Sequence, residues 1–152
     1  MTTSAAIPPG RTVRTLLPAS TRAPRQARQT IRAVLKSWGL ASLTSDAELM
    51  TSELVANSAE YAPGHPIGLT IRHYAEPGGQ RGIHCEITDT NPDLLWPQTP
   101  DPGSERGRGL QIVAALATDC GISPSPPGKT AWFTLLHPPE PQPAEHQPEA
   151  TL

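Results

Sequence analysis

At 152 residues the chain has the length of one domain, and Pro 19 with Gly 12 against 36% hydrophobic content points to a compact core with unstructured ends. Lys+Arg 12 against Asp+Glu 14 gives a formal net charge of -2, which excludes bulk polyanion binding as the main role. The longest apolar run, Ile112 to Ala117, is six residues, so a helical membrane span is excluded as well.

Residues 1–10 are small, polar and proline-bearing and are expected to be disordered. They offer no apolar core for a signal peptide, and the chain reads as a cytoplasmic protein. The working domain is expected over residues 11–136. From His137 the segment HPPEPQPAEHQPEATL carries five prolines in sixteen residues and is expected to lie outside the fold. Cys85 and Cys120 stand far apart, which excludes a CxxC pair, and the histidines show no metal-binding spacing.

Val13 to Leu17 is a short candidate strand closed by Pro18. A helix is predicted from about Thr21 to Trp38, with Pro24 in its first turn and Gly39 as its stop. Ala27, Ile31, Val34, Leu35 and Trp38 share one face, and Arg22, Arg25, Arg28, Arg32 and Lys36 share the other. Residues 1–45 hold seven basic and no acidic side chains, so this stripe is either a solvated face or a docking surface for an acidic partner. Ser45 and Glu48 form a capping box that opens a second helix, predicted to run to Ala62 before Pro63-Gly64. Two alternating strands follow, marked by Ile67, Leu69 and Ile71 and by Ile83, Cys85 and Ile87, with a hairpin loop between them. Residues 89–108 lack periodicity, as a ligand lid would. A third helix over 109–118 and a strand over 129–136 complete the order β-α-α-β-β-α-β. That order implies an α+β two-layer sandwich, a mixed, largely antiparallel sheet with helices on one face.

Four short segments carry candidate chemistry. Glu53 and Asn57 are i, i+4 on the second helix, beside its apolar stripe. An amide oxygen suits Mg2+, and a carboxylate beside it can orient a nucleophile, although a polar helix edge has the same appearance. Asp89 follows a strand directly, where a carboxylate can accept a hydrogen bond from an exocyclic amine or simply cap a turn. Gly107-Arg108-Gly109 opens the third helix, where backbone N–H groups and a guanidinium can hold phosphate, or where glycines can serve as a hinge. Gly128-Lys129-Thr130 enters the last strand with a hydroxyl that can reach a base edge or belong to an ordinary strand.

Their order resembles the GHKL (Bergerat-type) ATP-binding fold, and above all its small branch of anti-sigma-factor serine kinases. The branch pattern SELVxNA…D…GRGL…GKTxW is matched by SELVANS at 52–58, Asp89, GRGL at 107–110 and GKTAW at 128–132. The resemblance implies ATP and Mg2+ as cofactors, Glu53 as catalytic base or orienter and Asn57 as the Mg2+ ligand. It implies Asp89 as reader of the adenine amine with Thr130 assisting, and Gly107, Arg108 and Gly109 as the phosphate lid with Leu110 at its base. The implied partners are a sigma factor or an anti-anti-sigma protein, with a homodimer in some relatives and no direct nucleic-acid contact. A non-catalytic nucleotide-binding module is the alternative. Two departures bear on it: Asp-Thr-Asn-Pro-Asp at 89–93 lacks the superfamily's glycines, and Glu60-Tyr61-Ala62 replaces a common basic residue and histidine.

Overall fold

The structure is a computed structural model that describes residues 11–61, 64–75, 79–90, 108–126 and 128–137. Of residues 61, 108 and 109 the backbone alone is described. The elements are β1 (Thr12–Leu17), α1 (Ala23–Ser37), α2 (Thr44–Tyr61), β2 (Ile67–Ala75), β3 (Arg81–Asp89), α3 (Arg108–Leu116), β4 (Asp119–Ser125) and β5 (Gly128–Leu136). A single 3-10 turn, Ala41–Leu43, leads into α2.

The five strands form one sheet in the order β1-β2-β3-β5-β4. Every pairing is antiparallel, so the mixed sheet expected from sequence is corrected. The cause is β4, a strand that the sequence reading passed over. The crossover from β3 through α3 leads into β4, which runs parallel to β3. The reversal that follows, where Ser125 pairs with Gly128, inserts β5 between them antiparallel to both. The sequence of β4, DCGISPS, has one large aliphatic residue plus Gly121 and Pro124. A proline is tolerated there because β4 is an edge strand. Gly121 lies under the Trp132 indole, where a Cβ would come within 2.9 Å of the ring.

Period-two alternation gives the sheet one apolar face. Ile67, Leu69 and Ile71 of β2, Ile83, Cys85 and Ile87 of β3, and Ala131, Phe133 and Leu135 of β5 are buried on it. Against them pack Ala27, Ile31 and Leu35 of α1, Met50, Leu54 and Val55 of α2, and Leu110 and Val113 of α3. The opposite face is polar. There Arg72 pairs with Glu86 at 2.9 Å, His84 hydrogen-bonds Thr134 at 3.0 Å, and the His84 and Trp132 rings lie 5.4 Å apart.

The end of α1 shows how a sequence stop becomes geometry. Gly39 has φ +72°, the left-handed conformation that side chains resist. Its N–H bonds the Lys36 carbonyl and the Leu40 N–H bonds the Leu35 carbonyl, the paired closure of a Schellman motif. Arg81, at the start of β3, donates to the carbonyls of Trp38 and Gly39 and so fixes the helix end to the sheet. No helix among the described residues is long and apolar enough to cross a membrane.

Candidate functional site

Asp89 ends β3 on the helix-covered face and is 2% exposed. Its carboxylate is held from two sides. Ser58 Oγ donates to Oδ2 at 2.7 Å, and Lys129 Nζ donates to Oδ1 at 3.1 Å. Lys129, also 2% exposed, stands opposite Asp89 in the β3–β5 register. A buried ammonium and a buried carboxylate are each costly alone, and each makes the other tolerable. Gly128 allows this approach, since a Cβ there would collide with the backbone of Asp89 and Thr90.

Ser58 brings α2 into the site. Asn57 precedes it directly and Glu53 lies one turn earlier, both half-buried on the helix. The i, i+4 spacing sets the carboxylate of Glu53 and the amide of Asn57 on one side of α2. Leu110 of α3 is 7% exposed and belongs to the hydrophobic core. Arg108 and Gly109 open α3, with their side chains outside the described residues, and Gly107 lies outside them altogether.

Thr130 does not join Asp89. Strand alternation turns it to the opposite face of the sheet, where its hydroxyl meets Thr88 Oγ1 at 3.0 Å and Ser125 Oγ at 3.1 Å. Lys129 takes the place beside Asp89 that the sequence reading gave to Thr130. The signal was present in the chain: Lys129, Ala131, Phe133 and Leu135 share one period-two set, and Thr130 falls in the other. Ser58 was missed as well, although its position one residue after Asn57 turns it toward the sheet.

Two of the perturbed titratable groups outside this site face the core and the polar sheet face. Burial pushes the Cys85 thiol up to about 12, with Thr51 beside it at 3.9 Å. Burial also lowers the pKa of His84, against an opposing pull from Glu86. Neither faces a cleft shared with Asp89, so neither marks a second centre.

Comparison with known proteins bears on the family and the fold. Residues 17–135 match the sequence profile of the histidine kinase-like ATPase domain. Among solved structures the chain is similar to the RsbU and RsbW domains of Rv1364c from Mycobacterium tuberculosis, with a TM-score of 0.56 and 22% sequence identity. That likeness covers 82% of this chain and 31% of the other, so this chain spans about a third of it. A search among curated proteins gives no match. The profile runs from the end of β1 to the end of β5 and takes in α2, Asp89 and the strand bearing Lys129. The chain belongs to the histidine kinase-like ATPase domain family.

Proposed function

We propose that the protein binds Mg-ATP in the cytoplasm and acts as an anti-sigma factor with serine kinase activity toward an anti-anti-sigma partner. The observation that carries this reading is the buried Asp89 carboxylate, held by Lys129 and by Ser58, the α2 residue next to Asn57. A fixed, buried carboxylate suits an exocyclic purine amine, which donates where a keto group would repel. Family membership and the fold shared with an RsbW-domain protein support the same reading.

The donor set also fits a phosphate-bound cation. Among the described residues no group of three or more His, Cys, Asp or Glu stands together. Mg2+ commonly takes one or two protein ligands and completes its shell with phosphate oxygens and water. Asn57 offers such an oxygen. Bound Mg-ATP would supply the phosphoryl group and the charge that stabilises its transfer. Glu53, one turn away, would accept a hydrogen bond from the incoming serine hydroxyl, align it, and take its proton.

Calorimetric titration of ATP with and without Mg2+ tests the binding reading. Asn57→Ala is expected to abolish Mg-dependent binding, whereas Glu53→Ala is expected to keep binding and lose transfer to a partner. Equal nucleotide affinity in the wild type and the Asn57 variant would remove Asn57 from the site. A second reading, a nucleotide-binding module without transfer, draws on Glu60, an exposed acidic residue where relatives commonly carry a basic one. Labelled phosphate appearing on a serine of a cognate partner would exclude it.

A further inference from the structure

The outer edge of β1 has no strand paired to it among the described residues. The His73 N–H bonds the Arg11 carbonyl, and this fixes which β1 residues face inward. Residues 11, 13, 15 and 17 direct their backbone groups toward β2, so those of Thr12, Arg14 and Leu16 point outward. All three are exposed, Leu16 to 73%. Proteins ordinarily blunt such edges with proline, bulges or charged side chains; Thr12–Leu17 carries no proline, and Arg14 is its single charge.

A groove of about 520 Å3 runs alongside, between β1 and α1. Thr15, Leu16 and Leu17 form one wall, and Gln26, Gln29 and Ala33 form much of the other. At about 100° per residue these α1 positions make an uncharged strip. The adjoining strip of the same helix carries Arg22, Arg25 and Lys36, all exposed. Arg11 adds exposed positive charge on the strand side, while Arg14, opposite Thr70, turns to the open face of the sheet. The sequences of β1, α1 and β2 contain no Asp or Glu. Arg32 is partnered across the helix pair by Glu48 at 2.7 Å, but that contact lies toward α2, away from the groove.

We propose that this edge and groove form a docking site for an acidic, extended protein segment, which adds to β1 as a sixth strand. Its backbone would pair with the outward groups of Thr12, Arg14 and Leu16. Alternate side chains would enter the groove over Gln26, Gln29 and Ala33, and an apolar residue would cover Leu16. Acidic flanks would meet Arg11, Arg22 and Arg25. A second copy of this chain is the poorer occupant, because two-fold pairing through β1 would bring two acid-free, arginine-bearing faces together. The surface lies two strands from β3 and requires nothing of the nucleotide reading, so each can fail without the other.

The test uses the full chain without nucleotide and two fluorescent peptides. Both carry the same Val-Thr-Val-Thr-Val centre; one is flanked by three Glu at each end, the other by three Lys. The acidic peptide is expected to bind in a salt-sensitive manner, to slow amide exchange at Thr12, Arg14 and Leu16, and to bind at least about tenfold more weakly to the Arg22→Glu/Arg25→Glu variant. Leu16→Pro, which removes one outward N–H while leaving the β2 ladder intact, is expected to weaken it as well. Equal affinity for both peptides, or protection mapping elsewhere, overturns the proposal. So does protection of these amides in the free protein, which would mean that another copy or another part of this chain covers the edge. Binding of a DNA duplex with no binding of the acidic peptide overturns it in favour of a nucleic-acid contact.

Discussion

Lys129 is the residue on which the site geometry turns. Its ammonium lies 3.1 Å from the Asp89 carboxylate, both groups are almost wholly buried, and Ser58 closes the other oxygen. Removing one partner of such a pair leaves a buried charge that must find new compensation. Lys129→Met is therefore expected to destabilise the fold by about 3–5 kcal/mol in urea unfolding. Asp89→Asn combined with Lys129→Met removes both charges and is expected to recover a large part of that loss. A double-mutant cycle reads the difference, and a coupling below about 0.5 kcal/mol, the range of independent sites, would show that the pair does not hold the carboxylate in place. The same variants bear on function: Lys129→Met frees Asp89 Oδ1 of one donor, so ATP affinity measured on the folded fraction reports whether the ammonium competes with a base amine.

At the level of elements, the α1 terminus shows where the sequence was legible and why. Gly39 was marked as a stop, and the structure assigns it the positive φ that a Schellman closure needs. Gly39→Ala meets no close neighbour, since its Cβ would sit 3.7 Å from the Arg81 guanidinium, so its cost is conformational. The expected loss is about 1–2 kcal/mol in urea unfolding, with Gly39→Asn costing less because Asn tolerates the left-handed region. α1 was legible because its apolar periodicity is sustained over four turns and its ends carry proline and glycine. α2 begins at Thr44, so Ser45 lies inside it rather than capping it, and polar Thr51 and Ser58 share its buried side. β2 and β3 were legible through the alternation of Ile67, Leu69 and Ile71 with Ile83, Cys85 and Ile87. β4 was not, because an edge strand buries little and its Gly121 and Pro124 read as loop; what holds it is pairing with β5 and the cover of Trp132 over Gly121. The candidate site divides the same way. Glu53, Asn57 and Asp89 stood out as candidates through helix spacing and a strand end, and only the resemblance to the ATP-binding fold gave them roles. The exchange of Thr130 for Lys129 required knowing which face of β5 turns toward the helices. That follows only once Phe133 and Leu135 are placed in the core.

For the molecule as a whole, the charge arrangement predicts how stability follows pH. His73 is buried at 5% exposure with its ring edge against Trp38, and neither ring nitrogen has a hydrogen-bond partner among the described residues. Burial lowers its pKa first, and the nearby Arg11 and Arg81 guanidiniums lower it further. His84 shifts in the same direction, again chiefly through burial. Both imidazoles are therefore favoured neutral in the folded chain, whereas in the unfolded chain they take up a proton near the ordinary histidine value of about 6.5. The unfolded state then binds more protons, so stability is complete above that value and falls as the pH drops through it toward the lowered folded values. Each histidine can contribute a slope of at most about 1.4 kcal/mol per pH unit in that window. His73→Phe keeps a ring against Trp38 and removes the titrating group. Urea unfolding of this variant between pH 8 and pH 5 is expected to match the wild type at pH 8 and to lose less stability on acidification. An unchanged pH slope in His73→Phe would show that the acid sensitivity arises elsewhere, with His84 on the open face of the sheet as the next group to replace.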